Sequence, residues 1–203
     1  MVKIKNLKKE FNNNVLFDKF NLVVPDNEFV IITGKSGSGK TTLLNMIGGI
    51  EEFSEGTIEV NGYVILPHKK VKRLYYQKTI GFLFQNYALV ENKTVYQNLK
   101  MINPKFRTDI SINKALEKVN LLEKINKHVY TLSGGEQQRI ALARLMLKQC
   151  EVILIDEPTA SLDWSNTLIV MDMIKEIHRL KKTIIMVTHD TRLFDLAERV
   201  IEI

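Results

Sequence analysis

The sequence predicts an α/β fold: a core with a mainly parallel sheet, an antiparallel β subdomain and a small helical subdomain. Three observations lead there. Short runs that are apolar throughout recur at Phe29–Thr33, Val152–Ile155 and Thr183–Val187. Unbroken rather than alternating hydrophobicity marks strands buried on both faces. Segments with helical apolar spacing, Glu136–Leu147 and Asn166–Leu180, alternate with the last two runs, the rhythm of a parallel sheet covered by helices. Finally, Asn61-Gly62 lies between the strand-like runs Gly56–Val60 and Tyr63–Leu66, a strong hairpin signal.

Taken in order, Val2-Lys3-Ile4 alternates and Phe20–Val24 reads as a strand stopped by Pro25. Phe29–Thr33 is a buried strand, and Thr42–Ile47 continues as an apolar helix. His68–Arg73 is a basic loop leading into a helix. Thr94–Met101 and Ser111–Val119 carry apolar residues three and four apart, with Ser111 as an N-cap and Pro104 between them. This stretch, roughly residues 87–134, reads as the helical subdomain. Arg199–Ile203 reads as a last edge strand. The 203 residues suit one domain, residues 1–203, with no internal repeat.

Composition excludes several classes. An apolar fraction of 45% supports a sizeable core, yet no run approaches the roughly 18 apolar residues of a membrane span. The start, Met1–Lys9, is too charged for a signal peptide. The single cysteine, Cys150, precludes an internal disulfide and reads as a small buried hydrophobe in a reducing cytosol. The net charge of +6 is compatible with several anionic partners. The basic cluster His68–Arg73 lacks interleaved aromatics, so it reads as solvated and nucleic acid is not expected as a partner.

Chemistry concentrates in Gly34-Lys35-Ser36-Gly37-Ser38-Gly39-Lys40-Thr41, which fits G-x-x-x-x-G-K-[ST], the phosphate-binding loop of P-loop NTPases. Strand, glycine turn and helix start aim successive N–H groups at one point, where the helix dipole adds positive potential. Lys40 can reach the β- and γ-phosphates and the Thr41 hydroxyl can ligate Mg²⁺. Val152–Ile155 then delivers Asp156 and Glu157 to a strand tip. Beside a phosphate loop, one acid can support the metal and the next can take a proton from water; alone, the pair would read as solvated acids.

Leu132-Ser133-Gly134-Gly135-Glu136-Gln137-Gln138-Arg139 resembles the signature of ABC-type ATPases, and it ends seventeen residues before Asp156 (156 − 139). The resemblance covers the whole chain, with Gln85 in Phe82–Asn86, Asp156-Glu157-Pro158, Ser161-Leu162-Asp163 and His189 in Val187–Asp190 all in order. It implies a homodimer in the ATP-bound state, each ATP lying on one copy's Gly34, Lys35, Ser36, Gly37, Ser38, Gly39, Lys40, Thr41 and Thr42 and covered by Ser133, Gly134 and Gly135 of the other. Glu157 is then the general base, Asp156 and Gln85 join Thr41 at Mg²⁺, and His189 touches the γ-phosphate. Asp163 communicates across the dimer. Phe11, 23 residues before Gly34 (34 − 11), stacks on adenine or packs in the core.

The resemblance further implies a separate transmembrane permease as partner, with this chain cytoplasmic and peripheral on the inner face of the membrane. Tyr87, Leu89, Val90 and Val95 are candidate permease contacts or lobe core. Leu44–Glu51 and Ile80–Leu89 look like the macrolide-export and lipoprotein-release ATPases, and Gly81–Leu99 like small bacteriocin-export ATPases, implying export of a peptide, antimicrobial or lipophilic compound. Fourteen residues follow His189 (203 − 189), so no C-terminal regulatory domain is expected. A soluble ABC ATPase acting on ribosomes or DNA is the alternative. A nucleotide kinase would leave Leu132–Arg139 and His189 without a role.

Overall fold

The computed structural model describes residues 1–12, 14–160 and 162–203. Five parallel strands form its central sheet: β3 (Phe29–Thr33), β6 (Ile80–Leu83), β7 (Val152–Asp156), β8 (Thr183–Val187) and β9 (Arg199–Glu202). Their order is β6-β7-β8-β3-β9, with Arg199–Glu202 at the edge as expected. Alternate side chains explain why the central runs are apolar throughout. Ile31, Ile153, Ile155, Ile184 and Met186 enter a core with α4 (Gly134–Leu147) and α5 (Trp164–Arg179). Val30, Ile32, Val152, Leu154, Ile185 and Val187 enter a second core with α1 (Lys40–Ile47). A strand covered on both faces has no solvent side to make polar.

The antiparallel sheet closes over the second core in the order β2-β1-β4-β5, with β1 (Val2–Phe11), β2 (Asn14–Val24), β4 (Glu55–Val60) and β5 (Tyr63–Ile65). The Asn61-Gly62 hairpin forms as expected, Val60 pairing with Tyr63. β1 and β2 run well beyond the short segments read from the sequence, because lysine and asparagine can occupy the solvent face of a half-buried ribbon.

Between β6 and α4 lie α2 (Val95–Lys100), α3 (Ile112–Lys118) and three short 3₁₀ turns. Thr94 caps α2 reciprocally with Gln97, and the Ser111 hydroxyl accepts the Lys114 N–H, as its N-cap role required. Val95 is fully buried in the core shared with α4. As a permease contact it is therefore corrected: it has no surface to offer. Cys150 is buried, and burial pushes its thiol up, in keeping with an inert hydrophobe.

Candidate functional site

Four adjacent strands of the parallel sheet end in the residues singled out by sequence. Gln85 follows β6, Asp156-Glu157 close β7, His189 follows β8 and Gly34 follows β3. Parallel strands share one direction, so their carboxyl ends form one edge, where ligands of such sheets bind. Register ties these ends together: Asp156 pairs with Val187, Glu157 N–H donates to Val187 O at 3.0 Å, and Thr188 N–H donates to Ile32 O at 3.2 Å.

The loop between β3 and α1 is built for close approach. A Cβ at Gly34 would lie 2.1 Å from Ile203 O, and its φ of 151° is unfavourable to other residues. Gly39 at the α1 N-cap has φ 97° and provides no side-chain cap, leaving the first N–H groups of α1 facing the cleft. Ser38 Oγ is buried and has no hydrogen-bond partner among the described residues. Lys40 Nζ donates to Gly34 O at 2.9 Å and Lys35 O at 2.8 Å, bracing the loop from within.

A cleft of ≈ 400 Å³ opens on this loop, lined by Phe11, Leu16, Ser36, Gly37, Gly39, Lys40, Thr41, Thr42 and Glu157. Phe11 is 46% exposed rather than in the core, and Lys9 Nζ lies 4.2 Å from its ring centroid. One stacking surface therefore remains accessible at the cleft. Leu16 was not anticipated; only the fold of β2 over Gly39 brings it there.

Thr41 Oγ1 donates to Asp156 Oδ1 at 3.0 Å. A hydroxyl and a carboxylate together are hard oxygen donors that fit Mg²⁺, which typically takes one or two protein ligands and completes its shell with phosphate and water. Among the described residues no cluster of three or more His, Cys, Asp or Glu could hold a metal alone. Asp156 is 9% exposed. Burial pushes its carboxyl up and the Glu157 charge adds to this, while the Thr41 hydrogen bond and Lys40 oppose it. Above the raised folded pKa, the buried charge costs stability; below the unfolded value, both states are protonated and the cost disappears. Asp156→Asn is thus expected to raise Tm at neutral pH without nucleotide, the gain shrinking as pH falls through the carboxylate range. Thermal melts across pH check this; a neutral-pH loss of Tm would contradict it.

Glu157 takes φ 43°, a left-handed conformation uncommon for a non-glycine residue. Its Oε1 lies 2.8 Å from His189 Nδ1, although the two are 32 positions apart. The Glu157 side chain is 16% exposed and that of His189 71%. A second hollow, shared through Glu157, is lined by Thr159, Leu162, Thr188, His189 and Asp190. The pair is thus a sheltered carboxylate held by an accessible imidazole.

The remaining candidates lie elsewhere. Gln85 is exposed beyond β6. Ser133 is exposed at the α4 N-cap, its hydroxyl accepting Glu136 N–H while Glu136 accepts Ser133 N–H. Gly134 is exposed and Gly135 half-buried. Helix α4 therefore starts at Gly134, before the Glu136 start read from spacing. Asp163 caps α5, accepting the Asn166 N–H at 2.8 Å and the Ser165 hydroxyl, and these bonds hold its carboxyl down. Its capping role was not anticipated. Ser161 lies outside the described residues. Neither Ser133–Gly135 nor Asp163 lines the phosphate-loop cleft of its own chain.

A family model described as ABC transporter matches residues 17–160. The chain is 36% identical over 211 residues to the macrolide export ATP-binding/permease protein MacB of Campylobacter jejuni, covering all of this chain and 33% of that protein. It is 37% identical over 212 residues to HrtA of Staphylococcus haemolyticus, an ATP-binding protein whose name assigns it to hemin import, covering 100% of this chain and 96% of that one. Several curated relatives are longer: the chain spans 60% of the ABC transporter ATP-binding protein MG467 of Mycoplasma genitalium and a third of MacB. Among solved structures, the ATP-binding cassette MJ0796 in a dimeric post-hydrolysis state with ADP and Pi aligns with a TM-score of 0.86 at 31% identity, covering 100% of this chain and 94% of that one.

Proposed function

This chain belongs to the ABC transporter family as an ATP-binding cassette with ATPase activity, and from that premise we propose that it works as a head-to-tail dimer driving a separate membrane permease. The observation that carries this reading is the split site. The cleft of one chain holds Ser36, Gly37, Gly39, Lys40, Thr41, Thr42 and Glu157 but not Ser133–Gly135, so a second copy is needed to cover the nucleotide. The whole chain is read as one ATPase unit whose helical subdomain spans roughly residues 87–134.

In this reading Lys40 turns from the Gly34 and Lys35 carbonyls to the β- and γ-phosphates, and the α1 N–H groups hold the phosphate oxygens. Phe11 stacks on adenine. Thr41, Asp156 and Gln85 would hold Mg²⁺, which would neutralise developing charge. Glu157 accepts the proton of the water that attacks the γ-phosphorus as the bond to ADP breaks, and His189 orients Glu157 and the γ-phosphate. Ser133, Gly134 and Gly135 of the second copy close the site, and Asp163 lies at the junction between copies.

No helix of the described residues is long and apolar enough to cross a membrane. Dependence on a separate permease places the chain, in this reading, on the cytoplasmic face beneath it. Ala88 and Val90 line an apolar groove of ≈ 450 Å³ with Phe82, Phe84 and Met101, a seat for the permease. Tyr87 and Leu89 are partly packed into the lobe core. The likeness to MacB supports export, whereas the HrtA name gives import; the hemin in that name supports a lipophilic cargo. Purification of the chain from detergent-extracted membranes of its own cells tests this. A stoichiometric polytopic membrane protein that raises ATP turnover is the expected result. Ribosomes or nucleic acid in its place would overturn the reading in favour of a soluble ABC ATPase.

A further inference from the structure

Two cations, one on α4 and one at its C-cap, grip the two ends of the segment that runs through β6 and Gln85. Arg144 and Lys148 lie four residues apart, on one face of the helix and its C-cap. Lys148 Nζ donates to Tyr76 O at 2.5 Å and Ile80 O at 2.7 Å, at the entry to β6. Arg144 donates through Nη1 to Ala88 O at 2.6 Å and through Nη2 to Tyr87 O at 2.7 Å, just past its exit. Neither cation has a carboxylate within ion-pair distance among the described residues. Burial holds both below their usual ranges. A half-buried guanidinium without a counter-charge is costly unless its N–H groups are satisfied. Here the Tyr87 and Ala88 carbonyls supply that satisfaction, and their orientation is fixed in return.

The gripped segment is strained. Tyr87 and Ala88 have φ 61° and 45°, two consecutive non-glycine residues in the left-handed region. Tyr87 N–H also donates to Phe84 O at 2.9 Å, closing a turn whose central residues are Gln85 and Asn86. The orientation of Gln85 thus depends on a turn whose next residues stay left-handed only where their carbonyls are held.

We propose that Arg144 is a positioning residue for Gln85, tying the Gln85 turn to the helix capped by Ser133 so that these two parts of the ATP site move as one body. The inference rests on the reading of Gln85 as a contributor to hydrolysis. A partner seated in the groove lined by Phe84, Ala88, Val90 and Arg144 would reach Gln85 by the same route.

Steady-state hydrolysis by the purified full chain tests it, at temperatures well below each variant's Tm. Arg144→Met is expected to lower kcat roughly tenfold, the effect of losing a charge-assisted hydrogen bond. KM should stay within about twofold, because the Gly34–Thr42 cleft is untouched. Arg144→Lys, which keeps a charged donor, should recover part of kcat. Adding Arg144→Met to Gln85→Ala should cost nothing further, since nothing is left to position. A full additional tenfold loss in the double variant would overturn the inference, as would wild-type kcat in Arg144→Met while Gln85→Ala is slow. If Gln85→Ala itself turned over at the wild-type rate, the role of Gln85 would fall and this inference with it. Should Arg144→Met fail to fold, Arg144→Lys carries the same cycle.

Discussion

Glu157→Gln is expected to cut ATP turnover by roughly 10²- to 10⁴-fold, the usual contribution of a positioned general base, while leaving ATP binding intact. The amide keeps the shape of the carboxylate and one acceptor oxygen but cannot take a proton from water. Geometry favours Glu157 over its neighbour for this task. Asp156 is turned to Thr41, 3.0 Å from its hydroxyl, where a metal-supporting acid belongs. Glu157 lines the phosphate-loop cleft, is largely sheltered, and meets His189 at 2.8 Å. Its left-handed φ of 43° is the kind of local strain that clusters at functional sites. Single-turnover hydrolysis measures the chemical step directly; a rate within a factor of three of wild type would remove Glu157 from the role.

Lys40→Ala should weaken ATP binding by roughly 100-fold or more, since hydrogen bonds between charged groups contribute about 1.5–3 kcal/mol each and Lys40 can serve two phosphates. Its present partners make the prediction separable from stability. Among the described residues Lys40 Nζ bonds only the Gly34 and Lys35 carbonyls, at 2.9 and 2.8 Å. Those oxygens sit on an accessible loop where water can replace the ammonium, so Tm should change little. Calorimetric titration with ATP and a thermal melt on the same sample decide the matter. Affinity within a few-fold of wild type would contradict the phosphate-loop assignment.

Most of the fold and much of the candidate site were legible in the sequence, for a physical reason. Strands buried on both faces must be apolar throughout, so β3, β7 and β8 announce themselves, and a phosphate loop is contiguous because consecutive N–H groups build it. What failed to register was either solvated or non-local. β1 and β2 were read short because lysines and asparagines on their outer face dilute the apolar signal, although Lys9 is itself buried and paired with Glu51. β6 is muted by Gly81, where a Cβ would lie 2.8 Å from Cys150 Sγ. Apolar spacing alone begins α4 two residues late, at Glu136, because Gly134 and Gly135 depress helix propensity, yet the reciprocal Ser133–Glu136 cap prevails. The Glu157–His189 contact and the Arg144 clamp join residues 32 and 57 positions apart. No sequence spacing reveals them; an arginine within a helical pattern reads as a solvated face until the helix is packed.

The account turns on a nucleotide shared between two copies, and sedimentation of Glu157→Gln measures this most directly. With saturating ATP and Mg²⁺ the variant should run as a dimer, without nucleotide as a monomer, and with Ser133→Arg added it should remain a monomer even when ATP is bound. A monomer in ATP, or a dimer indifferent to Ser133→Arg, would contradict the shared site.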